Sequence, residues 1–401
     1  MADCTECRSV VFRLHPGSRA KHNLLIQTAG ACRWLWNAML EENRRANEEH
    51  ILTGRPRPSV SFQSMGVAFT QLRRQTPWLQ ALPYAPVRYL LRYQADAWKR
   101  AFKRGGFPKF HARRGDDSFT IPQDVRITGE YLHIPKIGLC RLSRRGGNPY
   151  VDCPPVKAVV KRSLGRWGCV VVYRVPVERQ DNGLALGVDM NCGQVATSTG
   201  EILPQPDLTR LEARRKRYQR QVARRKKGSN RRALSRHRMA KTQRKIAAIR
   251  HDWRHQASRT LANTAGHIVI EDLKVKAMTR SARGTVEDPG QNVRQMAGLN
   301  REIRNTGWGA LRRMIEYKAV EVETVNPAYT SQACHRCGHI DKDNRKEQST
   351  FECTACGYAG NADVNAALNI LASGTGATGR RGAWALAPPM NRQNVYTNLA
   401  A

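Results

Sequence analysis

The sequence predicts an α+β multidomain protein in which a small β-barrel is interrupted by a helical domain and followed by a second mixed region. Three observations carry this. An alternating stretch, Ser9–Pro16, stands alone before helical periodicity sets in from Ala20 to Arg104, and hairpin strands return only afterwards. Further on, apolar strands end in single acids, at Asp189 after "LALGV" and at Glu271 after "HIVI". Last, two CxxC pairs stand a few residues ahead of a third acid, Asp363, at the start of "VNAALNIL".

Taken in order, "AGACRWLWNAMLEENRRANEEH" sets Trp34, Trp36, Met39 and Leu40 at helical spacing, and "VRYLLRYQADAWKRAFKR" does so with Leu90, Leu91, Ala95, Trp98 and Phe102. Between them "TGRPRPSVS" reads as a loop by its Gly and Pro. Strands resume in "SFTIPQDVRITGEYLHIPKIGLCRL", and "SLGRWG" joins Val156–Lys161 to Cys169–Val175 as a hairpin. The segment "ERQDNG" is a linker. After the Asp189 strand come two long helices split at "KKGSN", the buried strand "GHIVIEDLKV", the loop "GTVEDPGQNV" and an amphipathic helix through Trp308, Leu311 and Ile315. The stretch from Ser373 onward is rich in Gly, Pro and Asn and is expected to be disordered.

Composition narrows the partners. The chain has 401 residues, 68 Lys+Arg against 32 Asp+Glu, and a formal charge of +36. Such an excess repels itself unless a polyanion compensates it, and nucleic acid is the economical choice. No apolar run approaches the roughly 18 residues needed to span a bilayer. The opening "MADCTECRSVVFRLHP" lacks a secretory pattern, and the 11 cysteines suit thiols and metal ligation better than disulfides. The expected setting is cytoplasmic, at the nucleoid. The segment Arg210–His255 concentrates the charge, with 19 Lys+Arg and two acids. Pairing at i,i+4 cannot neutralise that imbalance, so Arg214, Arg217, Arg224, Lys227 and Arg231 are candidate phosphate contacts.

Cys334-x2-Cys337-x15-Cys353-x2-Cys356 is the strongest local signal. Each CxxC turn offers two thiolates to one ion, and two turns complete a tetrahedral zinc site. With four protein ligands no position is left for water, so this zinc is structural. Cys4 and Cys7 have no second pair nearby and read as surface thiols. Each acid taken singly fits a cap or a solvated turn. Three converging carboxylates, however, are costly unless divalent cations neutralise them. That is the arrangement required for two-metal phosphodiester hydrolysis, with hard oxygen ligands favouring Mg2+ or Mn2+.

"LGVDMNCGQVATS", "IVIEDL", "GWG…EYKA", "NPAYTSQACHRCG" and "NADVNAALNI", in that order, resemble TnpB, the transposon-associated RNA-guided nuclease, and the compact type V CRISPR effectors related to it. The resemblance covers most of residues 8–372 and is strongest from Gly187 onward. It implies a wedge β-barrel with a helical recognition insertion, and a RuvC-like, ribonuclease-H-type α/β nuclease domain with an inserted zinc ribbon. On that basis residues 1–18 and 105–180 are the wedge and 19–104 the recognition domain. Residues 181–333 are the nuclease, with basic helices over 203–266. The ribbon, a target-loading module, covers 334–357, the third nuclease motif 358–372 and the tail 373–401.

By motif, the resemblance makes Asp189, Glu271 and Asp363 the catalytic, Mg2+-binding acids, with Asn365 supporting Asp363. Asn191 and Cys192 before Gly193 depart from the small Gly-containing turn frequent in the family. The implied activity is RNA-guided cleavage of double-stranded DNA beside a short flanking motif, with guide RNA as a partner and a monomer or homodimer as the working unit. The flanking motif would be read by Tyr84, Arg88 and Thr120, each of which equally fits ordinary surface; Arg88 suits either a bidentate guanine contact or a phosphate clamp. Three rivals stay open: an RNA-guided binder that represses transcription without cutting, a DDE-type transposase, and a plain zinc-ribbon RNA-binding protein.

Overall fold

The computed structural model describes residues 5–56, 59–113, 117–177, 179, 181–285, 287–347, 349–377 and 385–386, with backbone alone for 375–377 and 385–386. They divide into two units, Met1–Glu178 and Arg179–Ala401.

The first unit begins with β1 (Thr5–His15), whose alternation buries Val10, Phe12 and Leu14 and leaves Val11 62% exposed. Four helices follow before the chain returns to strands: α1 (Arg19–Thr53), α2 (Phe62–Arg74), α3 (Pro77–Gln80) and α4 (Tyr84–Arg104). Ser18 caps α1 by accepting from the Lys21 amide, and Gly54 ends it in the left-handed region at φ 69°. The strands β2 (Ser118–Ile121), β3 (Arg126–Thr128), β4 (Tyr131–Ile134), β5 (Gly138–Ser143), β6 (Pro155–Ser163) and β7 (Arg166–Pro176) then build an antiparallel sheet in the order β2-β6-β7-β1-β5-β4-β3. At the β6–β7 turn, Leu164 and Gly165 both have positive φ, as a two-residue hairpin with the right twist requires. Leu25, Leu35, Phe69 and Leu91 of the helices share one core with Phe12, Ile134, Val160 and Val171 of the sheet. The helical insertion and the wedge sheet are therefore one packed body.

In the second unit β8 (Leu184–Met190), β9 (Gln194–Thr197) and β10 (Ile202–Pro204) form an antiparallel meander. The helices α5 (Thr209–Arg224) and α6 (Asn230–Thr264) lead to β11 (His267–Glu271), which lies parallel to β8. After α7 (Val275–Met278), α8 (Val293–Thr306) and α9 (Trp308–Glu316), β12 (Glu321–Val325) adds in parallel to β11. A small hairpin of β13 (Thr350–Glu352) and β14 (Ala359–Asn361) precedes α10 (Ala362–Ala377), and β15 (Ala385–Leu386) pairs with the start of β8. Leu186, Val188, Ile268 and Ile270 pack on one face against Leu261, Ile303, Trp308, Leu311 and Ile315. Ala185 and Val269 face Ile370 and Leu371 of α10 on the other. This is a mixed sheet covered on both faces, the ribonuclease-H-type layering. No described helix is long and apolar enough to cross a membrane.

The helix α10 lies unusually close to the sheet. A Cβ on Gly187 would stand 2.1 Å from the Ala367 carbonyl oxygen, and one on Gly374 would stand 2.6 Å from Val269 Cγ1. Gly374 of "LASGTGA" thus serves contact rather than disorder, and the helix runs through Ala377, past residue 372 where the third nuclease motif was expected to end. Residues 378–384 and 387–401 of the expected disordered tail lie outside the described residues. Gly187→Val should lower stability by about 2–3 kcal/mol or more through overpacking against backbone that cannot yield. A thermal melt checks this: a drop of about 5–10 °C is expected, and an unchanged midpoint would contradict the close approach.

Candidate functional site

Parallel pairing aligns Val188 with Ile270, so Asp189 and Glu271 come next, side by side, at the carboxyl ends of adjacent strands. That edge is where open α/β sheets bind ligands. The third acid arrives from the opposite direction. Asn361 accepts from the amides of Asp363 (2.9 Å) and Val364 (3.2 Å), capping α10 so that Asp363 falls in its first turn. Because side chains alternate along a strand, Asp189 shares the face of Gly187, and α10 descends over that face from Asp363 to Ala367 and Leu371. All three acids are buried, at 6%, 9% and 3% exposure.

Each carboxylate is held by a named donor. Asn191 Nδ2 donates to Asp189 Oδ2 at 2.7 Å, Thr330 Oγ1 to Glu271 Oε1 at 2.6 Å, and Gln194 Nε2 to Asp363 Oδ2 at 2.7 Å. Arg345 Nη2 reaches Asp363 Oδ1 at 3.2 Å. Among the described residues no hydrogen bond reaches Asp189 Oδ1 or Glu271 Oε2. Burial, then the charges of Glu271 and Asp363, push Asp189 up to about 7, against the opposing pull of Asn191 and Arg345. Burial likewise raises Glu271, opposed by the Thr330 hydroxyl. Arg345 thus stands beside a cluster of three buried acids, and the hard oxygens left over suit a small divalent cation.

The four cysteines form a second centre. Their sulfurs lie within 4.8 Å of one another, with Cys334–Cys356 at 3.8 Å and Cys337–Cys353 at 3.5 Å. A tetrahedron with Zn–S bonds of about 2.3 Å has edges of about 3.8 Å, so the thiolates fit a structural zinc. Each CxxC is a tight turn closed by the amide of its following glycine: Gly338 donates to the Cys334 carbonyl and Gly357 to that of Cys353, both with positive φ. Asn344, fully buried, donates to the carbonyls of Gln332 and His339 and accepts from the Thr354 amide, locking one turn to the other.

The ribbon is fastened to α10. Asn365 Oδ1 accepts from the His335 amide at 3.0 Å and its Nδ2 donates to the Ala333 carbonyl at 2.8 Å, while Asn369 donates to the carbonyls of Thr330 and Ala333. The partner of Asn365 is therefore the first zinc turn, whereas Gln194 and Arg345 hold Asp363. Gln194, Thr330, Arg345 and Asn361 were missed from sequence. The Asn at 361, two residues ahead of Asp363, was the one local signal available, since Asn is a preferred cap.

Of the proposed nucleic-acid contacts, Arg214, Arg217, Arg224, Lys227 and Arg231 are all exposed on the α5–α6 hairpin. Arg225 closes that hairpin through the Arg231 carbonyl and Ser235, and Arg250 bridges Glu212 and Asn305 (2.9 Å). Tyr84 and Arg88 sit one turn apart at the start of α4. Tyr84 stacks on Phe69, and the Arg88 guanidinium covers the Phe62 ring at 4.5 Å while its Nε is buried without a partner. Thr120 is 7% exposed, with its hydroxyl 3.4 Å from that of Tyr93. Thr120 and Tyr93 line a cavity of about 720 Å3 with Arg33, Trp36, Arg100 and His111. Tyr84 and Arg88 do not line it. Of the Cys4–Cys7 pair, Cys7 is exposed and Cys4 lies outside the described residues.

Two outcomes are expected. Because Asp189 takes up a proton near pH 7, divalent-cation affinity measured calorimetrically with Mn2+ should fall roughly tenfold between pH 8 and pH 6; a flat profile would remove the raised carboxyl from the account. Cys353→Ser should lose bound zinc and the cooperative melting of the ribbon. Full zinc content in that variant, by metal analysis, would exclude Cys353 as a ligand.

Comparisons with known proteins agree along the chain. Family signatures described as "Cas12f1-like, TNB domain", "Probable transposase" and "Helix-turn-helix domain" match residues 308–370, 169–282 and 8–51. The last span is here a strand and one long helix. The chain is 36% identical over 379 residues to "Putative RNA-guided DNA endonuclease InsQ" of Escherichia coli K12, covering 90% of this chain and 91% of that one. It is 27% identical to a "Putative RNA-guided DNA endonuclease" of Streptomyces pristinaespiralis, over 92% and 90%. A 135-residue stretch is 37% identical to Cas12f1 of Sulfoacidibacillus thermotolerans, covering 31% of this chain and 28% of that protein. The fold matches that of Cas12f1 in its complex with guide RNA and target DNA at a TM-score of 0.53 and 16% identity, over 88% of this chain and 82% of that one. The chain belongs to the TnpB/Cas12f family of RNA-guided DNA endonucleases.

Proposed function

We propose that this protein cuts double-stranded DNA chosen by a guide RNA beside a short flanking motif, with Asp189, Glu271 and Asp363 as its one centre for phosphodiester hydrolysis. The observation that carries the reading is the convergence of three buried carboxylates, where burial and then the charges of the other two push Asp189 up to about 7. A purely structural role leaves that cost unexplained. The E. coli and Streptomyces relatives, described as RNA-guided DNA endonucleases, support it.

Asp189 Oδ1 and Glu271 Oε2, adjacent on neighbouring strand ends, are the oxygens that would hold Mg2+ or Mn2+ with Asp363. When bound, such cations supply Lewis acidity and a nucleophilic water for hydrolysis of the phosphodiester. Asn191, Thr330 and Gln194 fix the three carboxylates in orientation, and Arg345 sets a positive charge beside Asp363 where substrate phosphate must approach. The basic α5–α6 hairpin would follow the backbone of a guide–target duplex without reading its sequence. The first unit, through Tyr84, Arg88 and Thr120, would inspect the flanking DNA. The zinc ribbon, tied to α10, would present the target strand to the acids. Such a protein works where the DNA is, at the nucleoid, as a monomer or homodimer.

The repressor alternative requires an incomplete acid set, and all three acids are in place. Asp189→Ala should abolish cleavage, by at least about a thousandfold, while binding of guide and target stays near that of the parent. A gel assay with reconstituted guide complex reads both, and unimpaired cutting by this variant would remove the catalytic assignment.

A further inference from the structure

Tyr329 combines three properties that packing does not explain. It carries a positive φ of 64°, a conformation disfavoured by its Cβ and rarely tolerated by a bulky residue. Its side chain is nonetheless 63% exposed, so no burial of the ring offsets that strain. It also immediately precedes Thr330, whose hydroxyl donates to Glu271 at 2.6 Å. The backbone around it is fixed from several sides. The Tyr329 carbonyl accepts from the amides of Gln332 and Ala333, both at 2.9 Å, and Asn369 of α10 holds the Thr330 carbonyl. Ala328 donates to Asn326 Oδ1. Glycine or asparagine would adopt this conformation at lower cost. A strained residue that its surroundings over-determine, beside a reactive centre, is the pattern expected where strain serves function.

We propose that Tyr329 is a substrate-binding residue whose ring stacks on a base of the single DNA strand entering the acid centre, holding the neighbouring phosphodiester in register for attack. A phosphate contact alone leaves a single strand free to slide; a π-face stops it without demanding a particular base, as a nuclease directed by its guide requires. The proposal rests on the nuclease reading of Asp189, Glu271 and Asp363. Among the occupants the site could take, single-stranded DNA is favoured because Thr330, one residue on, touches the acid that would hold the cation.

The test uses the full chain with guide RNA and target DNA carrying 5-iodouracil at successive positions of the strand to be cut. Near-ultraviolet irradiation should cross-link Tyr329 at a position beside the scissile phosphate. Tyr329→Asn should slow single-turnover cleavage about 5- to 100-fold, with target binding within about twofold of the parent and a melting temperature no lower, since the backbone strain is relieved. Tyr329→Trp should recover most of the lost rate. Parental cleavage by Tyr329→Asn, a slow rate explained by a lower melting temperature, or cross-links that bypass residue 329 would each overturn the proposal. The Asp189→Ala complex separates the two readings. If it loses cleavage yet still cross-links at Tyr329, both stand; if it cuts, the nuclease centre lies elsewhere and the stacking role falls with it.

Discussion

Everything at the acid centre depends on the absence of one side chain. Gly187 lets the backbone of α10 rest directly on β8, with the Ala367 carbonyl where a Cβ would otherwise be. That approach brings the capped first turn of the helix down to the strand ends, so that Asp363 joins Asp189 and Glu271, which lie 174 and 92 residues earlier in the chain. The zinc ribbon follows from the same contact, since Asn365 and Asn369 hang it from the helix that Gly187 seats.

The electrostatic consequence is a centre held away from its own optimum. Burial, then the charges of Glu271 and Asp363, raise the proton affinity of Asp189, and a folded protein whose acid binds protons more tightly than the unfolded chain loses stability as pH rises through that range. For Asp189 the window runs from its ordinary carboxylate value up to about 7. The sheet, covered by packed helices on both faces, keeps the acids together despite this. Such tension between stability and site is common where charge is concentrated for chemistry.

Much of this was legible in the sequence because the relevant signals are local. A buried strand that ends in an acid announces the edge of a sheet where charge is concentrated, and paired CxxC turns announce a metal irrespective of fold. The split of the basic segment at "KKGSN" marked the boundary of α5 and α6, where Gly228 takes φ 85° and Ser229 caps the second helix. What stayed hidden depends on partners distant in the chain. Gln194 meets Asp363 across 169 residues and Thr330 meets Glu271 across 59, and neither pairing leaves a periodic trace. The family motif put Asn365 in support of Asp363, but two residues along a helix turn a side chain by about 200°, toward the ribbon instead. Gly374 near the end of α10 read as disorder because small residues signal both flexibility and close contact, and only the facing Val269 decides between them.

The helix α10 has a consequence for how such a protein can change over generations. From Ala362 to Leu371 no residue is exposed: one stripe meets the sheet, another holds the ribbon, and the first turn carries an acid. Helices usually keep a solvent face on which substitutions drift freely. This one has none over those turns, so neutral variation must accumulate elsewhere, on the outer faces of α1, α5 and α6, where side chains answer to solvent or to a bound polyanion. A lineage can therefore remodel what it grips long before it can alter the helix that organises the cut.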